Sequence, residues 1–222
     1  MAKKQSIPVK QFGEWLPQDI EWTFGIQRVA KMPLLDQLTN VKASLPIPHQ
    51  ATLERYAEEA TWRIGSWNED EYKFFFISPF LKLVDFYTPY YSPFTQRPMS
   101  MLYDNGTKKT EGRVEWMLAQ GRDYPIAPHF FLHEYKPEKR RDNDPLGQVL
   151  IAMVCAQQQN QDDKPVYGMF VNGRNWFLVV LQGKTYAVSN PYVITSNDIF
   201  DLFAVLEFLK VEMIKLYQPI VI

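Results

Sequence analysis

The chain contains the stretch Phe130-Phe131-Leu132-His133-Glu134-Tyr135-Lys136, an apolar run that ends in a carboxylate and an amine two residues apart. In an extended strand, side chains at positions i and i+2 lie on the same face, so Glu134 and Lys136 are predicted to project together. Burying a lone charge is costly unless the charge is paired or binds a metal. The stretch therefore indicates either a functional site at the end of a strand or a strand edge where the charges meet water.

A second acidic strand is predicted just before this one, in the stretch Gly112-Arg113-Val114-Glu115-Trp116-Met117-Leu118-Ala119. Its alternation places Glu115 and Met117 on one face, and Val114, Trp116 and Leu118 on the other. Consecutive strands are usually neighbours in a sheet. We therefore expect Glu115 to approach Glu134.

Helical and extended patterns alternate along the chain and predict an α/β or α+β core. A helix at 50–64 precedes the two acidic strands, and a helix opened by Asp144-Pro145 follows them. A hairpin at 165–181 and a helix at 198–217 complete the order. This order predicts a central sheet with helices on both faces. The apolar run at 72–84 is also predicted to be core, but its period does not separate strand from helix.

The length of 222 residues favours a single domain. Within it, we expect residues 1–49 to form an N-terminal arm and lead-in, 50–190 the core, and 191–222 a C-terminal helix.

Composition narrows the classes of partner and compartment. The chain carries 24 basic and 25 acidic residues, so no global field attracts a nucleic acid or a membrane, and any basic surface must be local. No apolar run approaches the length that spans a bilayer, and no apolar signal core follows the first lysines, so we expect a cytoplasmic protein without a membrane partner. Cys155 is the only cysteine, which excludes an internal disulfide and a cysteine-rich zinc site.

Two strand carboxylates beside a lysine suit a hard divalent cation. Mg²⁺ takes a few carboxylate oxygens and completes its octahedron with water and phosphate oxygens. Glu115 and Glu134 are the predicted ligands, and the Tyr135 carbonyl can supply another oxygen. Lys136 can orient the attacking water and balance charge on a phosphate. This set predicts metal-assisted phosphodiester hydrolysis.

The arrangement resembles the PD-(D/E)xK nuclease superfamily, and is closest in pattern to the nuclease domains of type I restriction motor subunits. The superfamily pattern is a helix with a Glu, a strand with an acidic residue, a strand ending in Glu-x-Lys, and a helix that often carries a Gln. The matching residues are Glu58 or Glu59, Glu115, Glu134-Tyr135-Lys136, and Gln148. Glu58 and Glu59 point about 100° apart on a helix, so only one can face the sheet, and we favour Glu59.

The resemblance covers about residues 50–190 and implies a restriction endonuclease-like fold with a mixed central sheet. It also implies a DNA hydrolase that uses Mg²⁺, with Mn²⁺ as a substitute, acting as a homodimer or in a larger restriction or repair assembly. Glu115 stands where the family usually has Asp, which is one methylene shorter. The alternative is a catalytically inactive nuclease-like domain that serves as a nucleic-acid-binding or protein-interaction module.

Two further segments keep open roles. The aromatic, proline-rich segment 87–94 is predicted to be an insertion that can either stack on bases or cover a core or an oligomer contact. A polar turn is predicted after it, at Asp104-Asn105-Gly106. The basic run Lys139-Arg140-Arg141 can contact phosphates, but Asp142 and Asp144 follow it at once and can neutralise it.

Overall fold

The computed structural model describes residues 7–44, 46–89, 91–133 and 144–216. These residues form one mixed sheet of nine strands, in the order β1-β4-β5-β6-β7-β8-β2, with β3 paired to β4 and β9 paired to β7. The strands are β1 Val9–Gln11, β2 Gln27–Arg28, β3 Tyr91–Tyr103, β4 Lys108–Gln120, β5 Ile126–His133, β6 Val166–Asn172, β7 Asn175–Gln182, β8 Thr185–Val188 and β9 Tyr192–Val193.

Helices cover both faces of this sheet. They are α1 Pro17–Phe24, α2 Pro33–Thr39, α3 Ile47–Arg63, α4 Glu69–Tyr72, α5 Ser78–Val84, α6 Pro145–Asn160 and α7 Asp198–Leu216, with a 3₁₀ turn at Phe12–Glu14 and a π-helix at Lys73–Ile77. The predicted α/β architecture, a mixed central sheet flanked by helices, is confirmed.

Two apolar clusters lie on opposite faces of the sheet because strand side chains alternate. Phe130 of β5 belongs to the first cluster with residues of α2, α3, α5 and α7, whereas its neighbour Phe131 belongs to the second cluster with α1 and α6. The same alternation along β7 sends Leu178 to the first cluster and Val179 to the second. The molecule is therefore a three-layer structure with the sheet in the middle.

Helix α6 forms where the sequence predicts it. The carboxylate of Asp144 accepts hydrogen bonds from the backbone N–H groups of Leu146 and Gly147, at 2.9 and 3.4 Å, and Pro145 occupies the first turn. The helix is buried continuously from Val149 to Ala156. It connects β5 to β6, which are parallel neighbours, so that it crosses the second face of the sheet.

Residues 7–44, which the sequence predicts as an arm and lead-in, contribute two strands to the central sheet. Strand β1 pairs in parallel with β4, and β2 pairs in parallel with β8. Trp15 is buried, and its Nε1 donates a hydrogen bond to Thr110 Oγ1 at 2.9 Å. Local periodicity could not reveal these strands, because each pairs with a segment about a hundred residues or more away along the chain.

The segment 87–94 does not form a separate insertion. Tyr91 and Phe94 lie in β3 and are buried, which supports the interpretation that these aromatic side chains cover a core. β3 and β4 form a long hairpin. Its turn lies at Asp104-Asn105-Gly106, as predicted, and these residues have left-handed φ angles of 54°, 54° and 81°. The run at 72–84, whose type the sequence left open, is helical.

Within the described parts of the chain, no helix combines the length and the apolar character that a membrane span requires.

Gly147 allows the N-terminal segment to pack against the first turn of α6, because a methyl group there would overlap the backbone oxygen of Trp15. We expect Gly147→Ala to lower the free energy of unfolding by about 1–3 kcal/mol through overpacking. Gly65→Ala is the matched control, because its new methyl group has nothing within 4 Å, and it should change stability by less than about 1 kcal/mol. Urea unfolding of both variants checks this, and equal stabilities would contradict the close approach.

Candidate functional site

The carboxylate of Glu115 lies at the centre of a polar cluster on the first face of the sheet. Its Oε2 atom accepts hydrogen bonds from Lys73 Nζ at 2.9 Å and from Gln96 Nε2 at 2.6 Å. The side chain is 27% exposed, so that the carboxylate is partly withdrawn from water. Both contacts use Oε2, and no donor among the described residues reaches Oε1.

Lys73 links two carboxylates. Its Nζ atom also lies 2.9 Å from Glu69 Oε1, one helical turn earlier in the chain. Burial acts to lower the pKa of Lys73, but hydrogen bonds to Glu69 and Glu115 outweigh burial, and the pKa lies above its usual value of 10.5. Lys73 is therefore charged at neutral pH and holds Glu69 and Glu115 around one ammonium group.

A buried hydrogen-bond chain fixes the helix that carries Lys73. Trp176 Nε1 donates to Tyr72 Oη at 2.9 Å, and Tyr72 Oη donates to the carbonyl oxygen of Gly173 at 3.2 Å. Burial raises the pKa of Tyr72 well above its usual range, because the phenolate would lose hydration. The start of the π-helix is thus held on the hairpin formed by β6 and β7.

A backbone irregularity directs Glu115 toward Lys73. Thr95 pairs with Trp116, and Arg97 pairs with Val114, so that Gln96 lies opposite Glu115. Gln96 has a left-handed φ of 53° inside β3, a conformation that costs an ordinary residue about 1–2 kcal/mol. Regular alternation fails at this point. Val114 lies in the second cluster with Met117, contrary to the predicted face, while Trp116 and Leu118 keep the predicted one.

A cleft of about 420 Å³ opens beside Glu115. It lies between segment 73–87 and the β3–β4 hairpin, and Phe86, Tyr87 and Trp116 contribute aromatic surface. Lys73, Gln96 and Glu115 are among the polar residues of its lining. The remaining lining residues are Ile77, Ser78, Leu81, Lys82, Asp85, Pro93 and Thr95.

The Glu-x-Lys residues Glu134, Tyr135 and Lys136 lie outside the described residues, as does the basic run 139–141. The two acidic strands nevertheless pair as predicted. Trp116 is opposite Leu132 and Met117 is opposite Phe131 in the antiparallel ladder of β4 and β5. Continuing that register by one residue places Glu115 opposite His133, which immediately precedes Glu134 in the sequence.

The first-helix carboxylates do not join this cluster. Glu58 and Glu59 are exposed on α3, because Leu53 and Ala60 turn the opposite side of the helix into the core. No hydrogen bond or ion pair within the described chain connects Glu59 to Glu115 or Lys73. Among the described residues, Glu69 on α4 shares the Lys73 ammonium group with Glu115.

Gln148 is half-buried in the first turn of α6, where its backbone N–H donates to the carbonyl oxygen of Asp144 at 3.1 Å. Helix α6 covers the second face of the sheet, whereas the Glu115 carboxylate contacts a residue of the helices on the first face. No contact among the described residues joins Gln148 to Glu115.

Sequence reasoning did not identify Glu69, Lys73 or Gln96 as site residues. Lys73 stands alone among aromatic residues in Tyr72-Lys73-Phe74-Phe75-Phe76, and a single charge in an apolar run was the same kind of signal that marked Glu134 and Lys136. The spacing of Glu69 and Lys73 is that of a helical ion pair. No local pattern marks Gln96, because its position depends on the strand opposite.

The metal prediction rests on Glu115 and on residues that the structure does not describe. Among the described residues, no three His, Cys, Asp or Glu side chains are grouped so that they could hold a metal ion. Glu115 itself suits Mg²⁺, since a carboxylate oxygen is a preferred ligand and Oε1 has no donor in the described chain. Lys73 sets a constraint, because its ammonium group already neutralises Oε2.

Comparison with known proteins gives no match to a protein-family model and no match among curated proteins.

His129 is a buried titratable residue of β5, outside the Glu115 cluster. Its Nδ1 lies 3.2 Å from Asn160 Nδ2, and that amide also donates to the carbonyl oxygen of Pro128 at 2.9 Å. Because the Asn160 amide nitrogen is a donor, Nδ1 acts as the acceptor of a neutral imidazole. Burial, together with the charge of Lys164, lowers the pKa of His129 to about 3.

We therefore expect the free energy of unfolding to fall between pH 7 and pH 5. The unfolded chain binds a proton at His129 near pH 6.5 but the folded chain does not, so stability is present above that pH and falls below it, by about 2 kcal/mol at pH 5. Urea unfolding across this range checks the slope, with His129→Gln expected to flatten it. His49→Gln is the control and should retain it. A slope unchanged in His129→Gln would assign it to other groups.

Proposed function

We propose that this chain is a Mg²⁺-dependent nuclease with a restriction endonuclease-like core that hydrolyses DNA phosphodiester bonds. The observation that carries the proposal is the antiparallel pairing of β4 with β5 through Trp116 and Leu132, because continuing that register by one residue brings Glu115 opposite His133, which precedes Glu134 in the sequence. The parallel β5–α6–β6 crossover that follows supports the same core. Acidic groups on neighbouring strands are the arrangement that a divalent cation and a phosphate require.

Glu115 and Glu134 would hold the metal, with the Tyr135 carbonyl as a further oxygen ligand and Mn²⁺ as a substitute ion. The chemistry that Mg²⁺ supplies at such a site is Lewis-acid stabilisation of charge on the phosphate. Lys136 would orient the attacking water and stabilise negative charge as it develops. Gln148 would act at the start of α6.

The contacts of Lys73 favour Glu69 of α4 over Glu59 of α3 as the helical carboxylate of the site. Glu69 and Glu115 share the Lys73 ammonium, whereas Glu59 is exposed on α3. Lys73 is a positioning residue in this proposal. It would orient Glu115 through Oε2, which leaves Oε1 for a metal.

The second candidate is a catalytically inactive nuclease-like domain that binds nucleic acid or a protein partner. The observation in its favour is the Lys73–Glu115 ion pair, which supplies the positive charge that a metal would otherwise supply. The longer Glu at the usual Asp position points the same way. In that case, the polar cluster is a structural ion pair.

Cleavage of DNA tests the proposal. We expect the native chain to cut DNA with Mg²⁺ or Mn²⁺ and not with EDTA. Glu115→Gln, Glu134→Ala and Lys136→Ala should each lower the rate by at least about a hundredfold, since each removes either a metal ligand or the positive charge that stabilises the reacting phosphate. Gel electrophoresis of labelled DNA measures the rate.

The matched control is Glu111→Gln. Glu111 lies on the same strand β4 and has its own lysine partner, Lys109 Nζ, at 2.6 Å. Its rate should equal that of the native chain. Cleavage that survives Glu115→Gln and Lys136→Ala would exclude this site, and no cleavage by a folded native chain would favour the inactive module.

A further inference from the structure

The cleft beside Glu115 combines aromatic walls with hydrogen-bonding groups. Phe86, Tyr87 and Trp116 bring aromatic surface to it, while Gln96 and Glu115 bring hydrogen-bonding groups. Its volume of about 420 Å³ lies in the range of cavities that hold a small organic ligand, and is too small for a duplex. Such a cleft fits one planar group that carries polar atoms at its edge.

Unusual backbone conformations meet at this cleft. Lys73 and Ile77 come from a π-helix, an element that occurs often at functional sites. Gln96 is left-handed in the interior of β3, where no turn requires it. Strained residues persist only where the surrounding structure imposes them, and they concentrate at ligand sites. Asp85 is also left-handed, but it ends α5, where that conformation is common.

The polar lining has a spare acceptor. Gln96 Nε2 donates to Glu115, and no donor in the described chain reaches Gln96 Oε1. Gln96 Oε1 has no part in the proposed cleavage chemistry. An acceptor in this position fits the exocyclic amine of cytosine, adenine or guanine, whereas thymine has no exocyclic amine and its one ring N–H lies between two carbonyl oxygens.

Two residues of the lining, Tyr87 and Lys82, are exposed to solvent. Tyr87 is 66% exposed, so its ring is open to stacking by a planar ligand. Lys82 has 84% of its side chain exposed, and its Nζ atom lies 4.0 Å from Asp85 Oδ1, at the outer limit of an ion pair. Its ammonium group is therefore available to a phosphate that flanks a bound base.

From these observations we infer that the cleft binds one unpaired nucleobase carrying an exocyclic amine, stacked on Tyr87 and hydrogen-bonded to Gln96. The substrate would then be single-stranded or locally unpaired DNA. Naming DNA rests on the proposed function, but base binding itself needs neither a metal nor cleavage.

Fluorescence anisotropy with labelled octanucleotides in EDTA tests this inference on the full chain. We expect thymine octamers with two central cytosines to bind more tightly than all-thymine octamers. Tyr87→Ala should weaken binding of the cytosine-containing strand about tenfold through lost stacking, while Tyr87→Phe should retain it. Tyr124→Ala is the matched control, because Tyr124 is also 66% exposed and does not line the cleft.

Gln96→Asn, which tolerates the left-handed backbone, should bind both octamers equally, because its shorter amide no longer reaches the base. Competition with free dCMP and dTMP shows whether the base must belong to a strand or can come from a free nucleotide. Displacement of the labelled strand by dCMP but not by dTMP would show that a free nucleotide is sufficient. Equal binding of both octamers by the native chain, or an unchanged affinity in Tyr87→Ala, would overturn the inference. Because no cleavage is measured, an inactive enzyme leaves the result intact.

Discussion

The contact between Lys73 and Glu115 joins the helical layer to the sheet at the candidate site. The two side chains come from different layers and meet at 2.9 Å, with about a quarter of each exposed. Removing Lys73 would leave the partly desolvated carboxylate of Glu115 without the opposite charge that Lys73 supplies, which is more costly than losing an exposed ion pair. Three further features meet at this contact: the π-helix that carries Lys73, the left-handed Gln96, and the carboxylate of Glu69, which also binds Lys73. The cleft beside Glu115 forms because these elements meet there.

Local patterns were sufficient for much of the fold. The cap at Asp144, the apolar α6, the β6–β7 hairpin and the turn at Asp104-Asn105-Gly106 each depend on neighbouring residues, and each formed as expected. Strands β1 and β2 depend on distant partners instead, and no local period marks strands of three and two residues. Pro93 and Pro98 lie inside β3, where proline is uncommon. They are tolerated because β3 pairs only with β4 in the described sheet, so a missing N–H there costs no hydrogen bond on the free edge.

The site was predictable only where it follows strand order. The placement of Glu115 beside β5 follows from consecutive strands pairing, which the sequence shows. The choice of Glu59 required knowing which side of α3 faces the core, and Leu53 and Ala60 occupy that side. Predicting the contact of Glu69 with Lys73 required knowing that the aromatic run is helical, and the spacing of its apolar residues does not distinguish a helix from a strand. The contribution of Gln96 arises from a backbone angle that only the folded hairpin imposes.

Calorimetric titration with Mn²⁺ tests the central claim most directly, because it asks whether Glu115 is a metal ligand without requiring a substrate. We predict one binding event in the native chain that is retained in Glu111→Gln and lost, or weakened at least tenfold, in Glu115→Gln. Equal Mn²⁺ affinity in Glu115→Gln and Glu111→Gln would contradict the account, and would leave the Lys73–Glu115 pair with a purely structural role.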